Sequence, residues 1–140
     1  MKTFLAIVGV VVALLIGSVL LSRSLQKDDS TIISRSGIHW HPELEIYVNE
    51  EKIELSKNKG IERTPHSPIH THEDLPLLHL EFGGLVREDD IKLSKWFEVW
   101  GKDFYELGSN VTMIVNGAEN TEFGNYIMRD GDKIVLRYSN

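Results

Sequence analysis

Residues 92–104 read KLSKWFEVWGKDF, and their apolar side chains decide what kind of fold the rest of the chain can make. Leu93, Trp96, Phe97 and Trp100 fall at i, i+3, i+4 and i+7, the spacing that lines one stripe of an α-helix. Gly101 follows directly and predicts the end of that helix, because glycine takes the left-handed conformation that closes helices. Three aromatic rings and a leucine on one stripe are what pack a helix on a sheet, so they are assigned to the core.

The flanks of this helix read as strands. Upstream, Leu44–Asn49 (LEIYVN) alternates Leu44, Ile46 and Val48 with Glu45, Tyr47 and Asn49, and after a turn at NEEK the run KIEL continues as a hairpin partner. LLHLEF, ending at Phe82, places Leu78, Leu80 and Phe82 on one face and Leu77, His79 and Glu81 on the other. Downstream come VTMIVNG, a loop AENTEFGNY, and IMRDGDKIVLRY, in which Asp130-Gly131 marks a turn and Ile134, Leu136 and Tyr138 alternate with Val135 and Arg137. Strands, one helix and more strands predict an α+β domain, a small mixed β-sheet packed on one amphipathic helix in the manner of a β-grasp.

The amino terminus belongs to a different regime. Thr3–Leu21 is apolar apart from Thr3 and Ser18, and about 20 helical residues span the roughly 30 Å hydrocarbon core of a bilayer. The exit VLLSRSLQKDD offers no small-x-small cleavage site, so a retained anchor is expected rather than a cleaved signal peptide. The expected organisation is a transmembrane anchor over 1–22, a polar linker over 23–36 and a histidine-rich α+β domain over 37–140. Export of the C-terminal domain is expected, since one N-terminal span on an otherwise water-soluble chain has no other evident use.

Composition narrows the function. The chain carries 15 Lys and Arg against 21 Asp and Glu, a net charge of −6 with histidine neutral, so nucleic acid and anionic lipid are poor partners. It has no cysteine, which excludes disulfides, thiolate metal sites, blue-copper centres and cysteine nucleophiles.

All 6 histidines lie in HWH at 39–41 and in HSPIHTHEDLPLLHLEFGG at 66–84. In extended backbone, residues two apart project to the same side, so His39 pairs with His41 and His70 with His72. Glu73-Asp74-Leu75-Pro76 can bring His79 back beside the second pair. Neutral imidazole suits zinc, copper, nickel or iron(II), and Glu73, Asp74 and Glu81 are near enough to serve as ligands or as acceptors behind them. Trp40 points opposite to His39 and His41 and would hold that segment against the core. His66, between Pro65 and Pro68, reads as an exposed turn residue outside the set.

These motifs together resemble a family. The order H-W-H-P-x-L-x-I, P-I-H-T-H-E, H-L-E, F-x-V-W-G, V-N-G and D-G-D-x-I is similar to an uncharacterised family of short, often membrane-anchored archaeal and bacterial proteins. The likeness covers residues 38–138, with His39, His41, His70, His72, His79, Glu81, Trp100 and Gly101 on its motif positions. Where that family usually has a glycine before its last histidine, this chain has Leu75-Pro76-Leu77-Leu78. The C-terminal part also looks like β-grasp modules of exported proteins. The resemblance implies a shared site and brings no established activity.

Three functions fit the sequence. The first is a membrane-anchored extracytoplasmic domain that binds a divalent ion, copper or zinc, through His39, His41, His70, His72 and His79. The second is a zinc hydrolase or lyase with three histidine ligands and Glu73 or Glu81 as general base, although neither a helical H-E-x-x-H nor a G-x-S-x-G is present. The third is an interaction module whose histidines face a protein partner.

Overall fold

The structure is a computed structural model that describes residues 1–25 and 29–140. It divides into two compact units, Met1–Ser30 and Thr31–Asn140. The first contains helix α1 (Lys2–Leu25), in which Ala6–Arg23 is long and apolar enough to cross a membrane. Its Ile7, Leu14, Ile16 and Leu20 are exposed, as a helix apolar all round must be when nothing apolar surrounds it. Residues 26–28 of the expected linker lie outside the described residues.

The second unit is α+β. Strands β1 (Ile32–Ser34), β2 (Ile38–Trp40), β3 (Glu43–Val48), β4 (Glu51–Ile53), β5 (Ile69–His70), β6 (His79–Phe82) and β7 (Val86–Arg87) precede helix α2 (Leu93–Trp100), and β8 (Asn110–Val115), β9 (Ala118–Asn120) and β10 (Lys133–Ser139) follow it. Instead of one small sheet there are three: a five-stranded sheet ordered β4-β3-β10-β8-β9, a three-stranded sheet ordered β2-β6-β5, and the pair β1-β7. In the large sheet β3 and β10 run parallel and the other neighbours run antiparallel.

The local patterns explain the elements. The β3-β4 hairpin turns at Asn49 and Glu50, both at positive φ. Leu44 and Ile46 on β3 are buried beside Ile134, Leu136 and Tyr138 on β10 and Met113 and Val115 on β8. Leu93, Trp96 and Phe97 of α2 enter the same core, and Gly101 ends the helix at φ 81°. At about 1.5–3 kcal/mol for each large apolar side chain fully removed from water, this stripe contributes far more than helix propensity could over 8 residues.

Two stretches depart from the sequence reading. Ile32–Ser34, inside the expected linker, is strand β1 and pairs with β7. Ala118–Asn120, expected to be loop, is strand β9 paired with β8 across Asn116 and Gly117, both at positive φ. Asn-Gly after an alternating apolar run is a strong hairpin signal, and it outweighs the polar composition of AEN.

Candidate metal centre

The three-stranded sheet turns its two faces to different tasks. β6 lies in the middle, with Leu80 opposite Trp40 on one side and Ile69 on the other. Leu80 and Ile69 are buried and Trp40 packs partly buried against the core. One residue along in each strand the side chains face the other way: His39 stands opposite Glu81, and His70 opposite His79. The period-2 alternation of three short strands therefore gathers imidazoles on one face while the other face anchors them.

Contacts outside the sheet fix these strands. Leu78 N donates to Pro42 O at 2.8 Å and Leu44 N to Pro76 O at 3.0 Å, tying the segment before β6 to the start of β3. Thr71, fully buried between His70 and His72, donates Oγ1–H to Ser56 O at 2.6 Å and accepts from Lys59 N at 3.0 Å. The backbone N–H of His41 donates to Asp130 Oδ1 at 2.8 Å, a contact between residues 89 apart in sequence. The DGD turn thus holds the second histidine of HWH in place.

The rings form one cluster. Centroid separations are 4.7 Å for His39–His41, 4.8 Å for His41–His79, 4.6 Å for His72–His79, 4.8 Å for His70–His72 and 5.5 Å for His70–His79. Among the described residues two sets have ligand-type atoms within 4.8 Å of one another: His70, His72, His79 and Glu81, and His39, His41 and His79. All five expected histidines are therefore in the cluster, and His79 belongs to both sets. His66 is exposed and outside it.

Hydrogen bonds decide which ring nitrogens are available. His70 Nδ1 is 3.0 Å from Ser67 O; a carbonyl only accepts, so Nδ1 carries the proton and Nε2 keeps its lone pair. That Nε2 lies 3.2 Å from His72 Nε2. His79 Nε2 is 3.1 Å from both Asp74 oxygens, so Nε2 donates and Nδ1 keeps the lone pair. His79 Nδ1 is buried without a hydrogen-bond partner and lies 3.9 Å from Glu81 Oε1. Histidine ligands of metals are oriented in this way, by a carbonyl or a carboxylate on the nitrogen that does not bind.

Electrostatics agree with this arrangement. Burial pushes the His70 imidazole below its ordinary value, which favours the neutral, ligating form. The hydrogen bond from His79 holds the Asp74 carboxyl below its ordinary range. Glu81 Oε1 also meets His39 Nε2 at 3.1 Å, so this carboxylate stands between the two sets. Glu73 is turned away, engaged by Lys57 at 3.1 Å and Asn58 at 3.2 Å. Of the three carboxylates expected near the site, one is in the ligand cluster, one orients a ligand from behind, and one is outside.

Neither protein-family models, curated proteins nor solved structures match the chain. The functional reading therefore rests on the geometry of the cluster.

Proposed function

We propose that this protein is a membrane-anchored domain that binds a divalent transition-metal ion, zinc or copper(II), outside the cytoplasm. One observation carries the reading: the lone pair of His79 Nδ1 is buried with no hydrogen-bond partner among histidines whose other nitrogens are already oriented. Leaving a buried polar atom unpaired costs about 1–3 kcal/mol, and an ion held by His70, His72, His79 and Glu81 would remove that cost. Three imidazoles and one carboxylate form a four-ligand set that suits tetrahedral zinc, while the affinity order of divalent ions favours copper(II).

The N-terminal helix supports single-pass anchoring, and its placement ahead of a domain rich in charged residues supports export of that domain. The strand order of the large sheet, with parallel central strands and α2 inserted between its two hairpins, supports the β-grasp assignment. Binding is favoured over hydrolysis because Glu73 is engaged at the surface by Lys57 and Asn58 and Glu81 belongs to the four-ligand set, so neither is free as a general base.

The test is metal content. The full chain, purified in detergent without a histidine tag, incubated with zinc or copper(II) and desalted, should retain about one ion per chain, the stoichiometry of a single closed set. Retention of neither ion would overturn the proposal.

A further inference from the structure

The two ligand sets share one side chain, and that sharing restricts what the site can do. His79 Nε2 is committed to both oxygens of Asp74, so His79 has a single lone pair to give, on Nδ1. An ion held by His70, His72, His79 and Glu81 and an ion held by His39, His41 and His79 would need that same lone pair. The two seats therefore exclude each other as complete sites.

Exposure grades across them. The His39 side chain is 65% exposed and that of Glu81, where the seats adjoin, 44%; His41 and His72 are intermediate, and His70 and the shared His79 are buried. Glu81 Oε1, a member of the inner set, lies 3.1 Å from His39 Nε2 of the outer one. An ion claiming Glu81 in the inner seat takes that carboxylate from beside His39, and an ion claiming His39 in the outer seat frees Glu81.

From this we infer that the cluster is a two-position relay for one divalent ion. His39 and His41 form an outer seat that takes up and releases the ion, His70, His72 and Glu81 form an inner seat that retains it, and His79 stays bound in both. Because the shared imidazole never lets go, the ion crosses by exchanging ligands one at a time and is never stripped of all its protein ligands. The chemistry fits a protein that hands its ion to an acceptor, a deeper version of the metal-binding reading, on which it rests.

The experiment uses zinc as the probe and the full chain in detergent. Zinc stoichiometry and affinity are measured by calorimetry, and the rate of zinc transfer to an excess of a chromophoric chelator by stopped flow. Wild type should bind one equivalent. A His39→Gln, His41→Gln variant should transfer its zinc at least about tenfold more slowly than wild type, the scale on which changes beside a metal site act. A His70→Ala, His72→Ala variant should bind at least about a hundredfold more weakly yet measurably, through the outer seat, with faster transfer. Two equivalents in wild type, loss of all binding in either double variant, or unchanged transfer in the first would overturn the relay and leave metal binding standing. No zinc on wild type, with copper(II) likewise unbound, would overturn both.

Discussion

Asp74 grips His79 with both carboxylate oxygens, each 3.1 Å from Nε2. The contact fixes the tautomer of the one histidine common to both ligand sets, so it is the support on which the site most depends. Asp74→Asn keeps the shape, removes the charge and lets an amide N–H face the ring. The expected result is a loss of about ten- to a hundredfold in zinc affinity with the fold retained. Calorimetry and circular dichroism on the variant check it; unchanged affinity would show that the contact does not orient a ligand.

Proton competition gives the site a pH signature. Imidazoles bind a metal only when neutral, and their ordinary pKa is about 6.5, so affinity should fall steeply below that pH. Affinity constant from pH 8 to pH 5 would exclude a histidine site.

The metal-free domain should have its own pH dependence, through His70. Its folded-state pKa is lowered by burial, so below the ordinary value the unfolded chain takes up the proton first. Stability from this group is complete above pH ~6.5 and is lost as pH falls through the lowered folded-state value. Thermal unfolding followed between pH 8 and pH 5 should show a falling midpoint, and His70→Asn should flatten part of that slope.

Much of this was readable in the sequence because it is local. The α2 stripe, the β3-β4 hairpin and the same-side projection of His39 with His41 and of His70 with His72 follow from periods of 3.6 and 2 within a few residues. Strand β1 was not legible, since three residues at the end of a polar stretch become a strand only by pairing with Val86 and Arg87 more than fifty positions away. The same holds for the contact of Asp130 with His41 N. That Glu73 would face Lys57 while Asp74 faced His79 depended on how the HTHED turn closed, which sequence spacing alone leaves open. The N-G turn before β9, by contrast, was a legible signal.

Asp132 ties the DGD turn to the rest of the domain. It is buried and accepts from Asn116 Nδ2 at 2.9 Å, Tyr126 OH at 2.7 Å and Arg129 N at 2.8 Å. Asp132→Ala would strand three donors and should cost about 3 kcal/mol or more, read by urea unfolding. Because the neighbouring Asp130 holds His41, a shift of the turn should also slow zinc transfer through the outer seat.

Gly60 sits behind the site and offers the sharpest structural test. At φ 91° a Cβ on this residue would lie 2.8 Å from Ile69 O, 2.9 Å from Val99 Cγ1 and 3.1 Å from His70 Cβ. Two of these neighbours belong to β5 and the third to α2, so a methyl group there would wedge the strand carrying His70 away from its support. Gly60→Ala combines the strain of a positive φ, about 1–3 kcal/mol, with that backbone clash. The expected outcome is a lower unfolding midpoint and, at temperatures where the variant is folded, weaker zinc binding, because His70 Nε2 would leave its place 3.2 Å from His72 Nε2. If Gly60→Ala lowered stability while zinc affinity stayed at the wild-type value, His70 would not be held in the site by this close approach.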